Sequence, residues 1–97
     1  MVDTMFYTYV LKSTKNNKRY IGQTSKDVLN RLREHNLGSN KWTRVNSPFI
    51  LLHYEEYATR TEAIKREHFL KSGQGRKWLD EKFPPKAGQP MADTIPR

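Results

Sequence analysis

The distribution of apolar and polar positions divides most of the chain into short strands and amphipathic helices. Residues 5–11, MFYTYVL, are aromatic or branched at both parities, which suits a strand with neighbours on each side. Residues 13–18 are polar, with Asn16 and Asn17 tolerant of positive φ, and residues 19–23 return as a second strand, so the pair reads as a hairpin. A helix is expected over residues 26–37, capped by Thr24 or Ser25, with Asp27 in its first turn and Gly38 as a left-handed stop. Its apolar stripe is Val28, Leu29 and Leu32. Asp27, Arg31 and His35 follow at four-residue intervals, with Arg31 and His35 flanking the stripe near the sheet but outside the core. Residues 39–48 read as a basic, polar loop around Trp42, and Phe49–Tyr57 as a third strand. The Thr59 and Glu62 spacing marks a capping box opening a helix over Arg60–Lys71, with Gly73 as its stop. A short last helix spans residues 75–82, docked by Trp78 and Leu79. The order β-β-α-β-α-α predicts an α+β fold, a small three-stranded antiparallel sheet packed with helices. Residues 1–83 form the domain, and the proline-rich residues 84–97 are expected to be a mobile tail.

One position breaks the pattern. Glu67 lies in the stripe formed by Ala63, Ile64 and Leu70, where a helix normally keeps hydrocarbon. An uncompensated charge there costs several kcal/mol, so a cation must meet it. Two candidates are open: an arginine in a buried ion pair, or a bound divalent cation. Gly22 is a second anomaly, because glycine weakens a strand and marks either a bulge or the close approach of a ligand or another backbone. Tyr7 and Tyr9 share one strand face and Tyr20 adds a third phenol, which packing alone also explains.

Charge adds a partner class. Eighteen basic against ten acidic side chains give +8, and residues 1–48 carry nine basic and three acidic ones. Such a field favours a polyanion, nucleic acid being the one a small basic domain commonly meets. The absence of cysteine removes disulfides, thiolate nucleophiles and cysteine-based zinc sites, and His35, His53 and His68 lack the spacing of a zinc site. No segment approaches the length of an apolar membrane span and no signal region opens the chain, so a cytoplasmic location is expected.

Tyr7-Thr8-Tyr9 on an aromatic strand, Tyr20-Ile21-Gly22 on the next, Arg31-Leu32 and His35 on the following helix, and Glu67 on a later one resemble the GIY-YIG nuclease domain. The resemblance covers residues 5–83. It is nearest to the small single-domain branch similar to the N-terminal nuclease domain of the bacterial nucleotide-excision repair incision subunit. Two departures stand out. Tyr7-Thr8-Tyr9 replaces Gly-Ile-Tyr, and no asparagine follows Glu67, where many members place one.

The resemblance implies an endonuclease acting on DNA phosphodiesters with Mg²⁺ or Mn²⁺, in repair or in processing unusual DNA structures. Glu67 would hold the metal, whose remaining ligands are water and phosphate oxygen. Arg31 offers a fork that matches phosphate. Tyr20 is the first choice of base, with Tyr9 as helper or alternative, and His35 would orient the network or contact the phosphate. Gly22 would let the scissile strand approach, with Tyr7 beside it. Lys41, Trp42 and Arg44 would contact phosphate and stack on a base. Arg76 and Lys77 would add a phosphate contact at free helix amides. Specificity would come from the residue 41–44 loop, a targeting partner or a homodimer. The rival readings are a binding module on a nuclease fold and an interaction protein meeting an acidic partner.

Overall fold

A computed structural model describes residues 4–84. The expected tail, residues 84–97, lies outside the described residues from position 85 onward. The chain runs β1 (Phe6–Ser13), β2 (Arg19–Thr24), α1 (Val28–Asn36), α2 (Lys41–Asn46), β3 (Phe49–Tyr57), α3 (Arg60–Lys71) and α4 (Gly73–Lys82). The antiparallel sheet has the order β2-β1-β3, so the strand that is apolar at both parities is the central one. Its alternation builds two cores. Tyr9 and Leu11 join Tyr20, Val28 and Phe49 on the α1 side. Val10 joins Ile21, Leu70 and Leu79 on the α3 and α4 side.

Several local expectations change. The expected loop between α1 and β3 contains α2, because Asn40 and Thr43 cap each other reciprocally: the Thr43 amide donates to Asn40 Oδ1 at 2.9 Å and the Asn40 amide to Thr43 Oγ1 at 3.2 Å. The threonine stands where a capping box usually has Glu or Gln. The hairpin turn holds the far end of this helix. Ser13 Oγ donates to the Asn46 carbonyl at 2.5 Å, and Lys15 Nζ to the Val45 carbonyl at 3.1 Å. Asp27, rather than Thr24 or Ser25, caps α1, its Oδ1 accepting from the Leu29 and Asn30 amides. Leu29 is 61% exposed, so the buried stripe of α1 is narrower than expected. Asn36 fastens the helix end to β3, accepting from the Phe49 amide at 2.7 Å and donating to its carbonyl at 3.2 Å. Asn17 takes the positive φ of the hairpin turn and Gly38 that of the stop after α1.

Gly73 does not stop α3. Ser72 ends that helix and caps α4 directly, its Oγ accepting from the Gly75 amide at 3.2 Å. The corner is tight at Gly75, where a Cβ would stand 2.0 Å from the Phe69 carbonyl oxygen and 2.5 Å from Leu70 Cα. Across the sheet, Glu55 of β3 accepts a bidentate pair from Arg66 of α3, Nε at 2.8 Å and Nη2 at 3.1 Å. The same carboxylate accepts from Tyr57 Oη, and its Oε2 lies 2.8 Å from His53 Nε2. Buried Arg19 of β2 meets Asp80 of α4 at 2.7 Å.

Two predictions follow from these contacts. Gly75→Ala forces backbone to move rather than a side chain, so it should destabilise by about 3 kcal/mol, read from denaturant unfolding. For Glu55, burial opposes ionisation, but the bonds from Tyr57, Arg66 and His53 outweigh it and lower its pKa. Burial, then the bond to Glu55, pushes Tyr57 up to about 12. A depressed carboxylate stabilises above its unfolded pKa and loses that contribution as pH falls through the folded one. A raised phenol stabilises below about 10 and loses that contribution as pH rises toward about 12. Thermal melts from pH 2 to 11 should therefore fall below about pH 4.5 and above about pH 10. In Glu55→Gln protein the acid-side fall should shrink.

Candidate active site

Strand alternation brings Tyr9, Tyr20 and Gly22 to one face, and α1 crosses that face. Tyr9 pairs across the ladder with Gly22. A Cβ at Gly22 would lie 2.6 Å from Tyr9 Oη and 2.8 Å from its Cζ, so the glycine makes room for the Tyr9 ring. The space expected for an approaching scissile strand is thus taken by a phenol of the protein. Tyr9 Oη lies 2.9 Å from His35 Nε2, and Ser39 Oγ lies 3.3 Å from His35 Nδ1. The Tyr20 and His35 ring centroids are 4.6 Å apart, and those of Tyr9 and Tyr20 are 6.5 Å apart and stacked. His35, expected outside the core, is fully buried. It can be, because Tyr9 and Ser39 meet both ring nitrogens.

Arg31 sits one turn before His35 and is the solvent-facing member, with 26% of its side chain exposed. Its Nη1 donates to Glu34 at 2.8 Å, and Lys26 meets the other Glu34 oxygen at 2.8 Å. Asp27, four residues before Arg31, is occupied as the cap of α1. Burial works against the Arg31 charge, yet hydrogen bonds to Glu34 and to the Tyr9 hydroxyl raise its pKa above the ordinary guanidinium value. Lys26 first, and Arg31 second, hold Glu34 down at about 2.

Glu67 is buried on the sheet-facing side of α3, 4% exposed, as its place in the stripe predicts. A cation that meets it is Lys71, with Nζ 2.5 Å from Oε2 one turn further along the same helix. This carboxylate is carried by α3, while Tyr9 and Tyr20 pack with α1, which carries His35. Among the described residues, no group of three or more His, Cys, Asp and Glu is arranged to hold a metal ion. A single carboxylate is the kind of donor that a hydrated Mg²⁺ or Mn²⁺ takes, since that ion keeps most of its waters and takes phosphate oxygens, but here an ammonium occupies it. It does not suit a dehydrated cage.

A family model described as the GIY-YIG catalytic domain matches residues 5–79. The chain belongs to the GIY-YIG catalytic domain family. It is 42% identical over 67 residues to a UPF0213 protein of Haloquadratum walsbyi, covering 68% of this chain and 73% of that one. A UPF0213 protein of Listeria monocytogenes is 41% identical over 66 residues, 67% of this chain and 71% of that one. A solution NMR structure of a UPF0213 protein from Bacillus halodurans is 26% identical, with a TM-score of 0.49 over 89% of this chain and 99% of that one.

Within this GIY-YIG domain the remaining candidates are dispersed. Tyr7 is half-buried, edge-on to Tyr54 at 6.2 Å, and lines a groove of about 320 Å³ with Val28, Leu29, Leu51 and Glu56. Lys41, Trp42 and Arg44 stand on helix α2, all exposed to solvent, with Trp42 45% exposed. Arg76 and Lys77 are exposed on α4, where the amides of Gly75 and Arg76 are already bonded. Ser72 Oγ takes the Gly75 amide, and the Ser72 carbonyl takes the Arg76 amide at 2.9 Å. Three neighbours of the site escape a reading of the motif alone: Glu34, Ser39 and Lys71. Each lies three or four residues after the side chain it meets, the spacing that makes helix neighbours. Among the described residues no helix is long and apolar enough to cross a membrane.

The Gly22 contact generates a prediction. In Gly22→Ala protein the Tyr9 ring must leave its place, so the Tyr9–His35 hydrogen bond should be lost at a cost of about 1–3 kcal/mol. Imidazole ¹⁵N chemical shifts should show a changed environment at His35 Nε2. An unchanged His35 spectrum would refute this role for the glycine.

Proposed function

We propose that this domain is an endonuclease that hydrolyses DNA phosphodiester bonds with Mg²⁺ or Mn²⁺, serving repair or the processing of unusual DNA structures. Family membership supports nuclease chemistry. The observation that carries the finer reading is the Tyr9 hydroxyl, which lies 2.9 Å from His35 Nε2 and interacts with the Arg31 charge.

A phenol titrates near 10 and is a poor base at neutral pH, so it needs a route for its own proton. In the proposed step, a water attacking phosphorus gives its proton to Tyr9 Oη while the Tyr9 proton passes to His35 Nε2. His35 Nδ1 faces Ser39, which steadies the ring. This connection favours Tyr9 over Tyr20 as the base, with Tyr20 fixing the imidazole by ring contact at 4.6 Å. Arg31 exchanges Glu34 for phosphate oxygens and stabilises charge as it builds on them. Glu67 would hold the metal once Lys71, whose side chain is 26% exposed, has swung away. The bound ion supplies Lewis-acid charge neutralisation at the phosphate. Lys41, Trp42 and Arg44 supply substrate grip from the exposed face of α2, and the net charge of +8 brings the polyanion in.

A second reading is supported by the ion pairs that engage the two charged candidates, Arg31 with Glu34 and Glu67 with Lys71. They suit a module that binds nucleic acid without cutting it.

The deciding experiment is cleavage of supercoiled plasmid and of single-stranded, duplex and branched oligonucleotides with Mg²⁺, Mn²⁺ or chelator. Wild-type cutting should need the metal. It should fall by about 10²–10³ in Arg31→Ala and Glu67→Gln proteins, and by about 10² or more in Tyr9→Phe. Wild-type rates in identically purified Glu67→Gln protein would sink the proposal. Binding that weakens steeply with salt, without any cutting, would favour the module.

A further inference from the structure

The helix that carries Glu67 is tethered to the sheet through polar bonds at one turn, and the tethers come from two strands. Thr8 of β1 is fully buried, and its Oγ1 donates to the Ala63 carbonyl at 2.7 Å. In an α-helix that carbonyl also accepts the amide four residues on, which is the amide of Glu67. Glu55 of β3 is the ladder partner of Thr8, and it grips Arg66, the residue before Glu67, through two bonds of 2.8 and 3.1 Å. Arg66 is confined further, its guanidinium carbon 4.8 Å from the Phe69 ring centroid and 4.9 Å from that of Trp78. Glu55 is confined by Tyr57 and His53.

Apolar packing of Leu70 against Val10 and Ile21 sets how close the helix lies, but it is weakly directional and leaves rotation about the helix axis loosely determined. Side-chain ends stand about 5–6 Å from that axis, so each 10° of rotation moves the Glu67 carboxylate roughly 1 Å. Ligand groups must be held within about 0.5 Å to work. Two directional bonds, from neighbouring strands to two positions of one turn, stop that rotation where a single bond would act as a hinge.

We infer that Thr8 and Glu55 are positioning residues that set the rotation of α3 and thereby where the Glu67 carboxylate meets a divalent cation. This rests on the nuclease reading above, in which Glu67 holds the metal. Both act through the helix.

The test measures Mn²⁺ binding to the full chain without DNA, from the loss of the free-ion electron paramagnetic resonance signal, beside the metal dependence of plasmid cleavage. Thr8→Val and Glu55→Gln should weaken Mn²⁺ binding about tenfold and raise the half-saturating metal concentration for cleavage by a similar factor. The rate at saturating metal should change less. Thr8→Ser keeps the hydroxyl and should restore wild-type values. Arg66→Lys removes the bidentate grip from the helix side, so it should reproduce the Glu55→Gln shift even if that variant folds poorly. Leu79→Ala, which loosens the same core from α4, should lower the melting temperature without moving Mn²⁺ affinity. Unchanged Mn²⁺ affinity in folded Thr8→Val and Arg66→Lys proteins overturns the inference while leaving the nuclease reading intact. A wild-type chain that neither binds Mn²⁺ nor cuts DNA overturns both.

Discussion

The structure depends on one buried polar contact, the Tyr9 hydroxyl against His35 Nε2 at 2.9 Å. Both side chains are almost wholly removed from water, and a buried imidazole or phenol left unsatisfied would cost about 1–3 kcal/mol. That penalty makes the contact directional where the surrounding hydrocarbon is not. It fixes the rotation of α1 on the sheet, and with it the place where Arg31, one turn away, leaves the core for solvent. Gly22 belongs to the same device, since only a residue without Cβ leaves room opposite Tyr9 for the ring. The glycine in the motif, the tyrosine and the histidine are therefore one packing unit, and each is pointless without the others.

On α3 the same logic recurs with different chemistry. Glu67 is buried beside hydrocarbon, and Lys71 one turn away supplies its charge partner. An i, i+4 Glu-to-Lys pair on an exposed helix contributes only a few tenths of a kcal/mol. At a carboxylate this buried, the ammonium also limits the desolvation penalty, so the pair compensates the burial more than it stabilises the helix. The two charged candidates, Arg31 and Glu67, both rest in ion pairs with partners from their own helices. In the proposed reaction an anionic substrate and a cation would each displace one such partner.

Much of this was legible in the chain. Glu67 stood out because carboxylates are expensive inside an apolar stripe, and the structure buries it and pairs it. The central position of β1 followed from its apolar residues at both parities, and the shared face of Tyr9 and Tyr20 from the two-residue strand period. Helix α2 was hidden because its capping pair is Asn40 and Thr43, without the acidic or amide residue that usually marks such a start. Leu29 misled because helical periodicity locates a stripe but not its width, and only its Val28 side is covered.

By itself the sequence determined the strands, the helices other than α2 and the motif that places the chain in the GIY-YIG family, because each rests on local spacing: two residues for a strand, about three and a half for a helix, fixed intervals for a motif. Only tertiary structure decided which polar groups meet. It placed His35 inside the core rather than at its edge, gave its ring nitrogens to Tyr9 and Ser39, and filled the space above Gly22 with a phenol. It also set Thr8 and Glu55 side by side beneath the turn that precedes Glu67. Apart from His35 with Ser39, those pairings join residues 11 to 55 positions apart. They follow from how layers close over one another, and no periodicity in the chain encodes that.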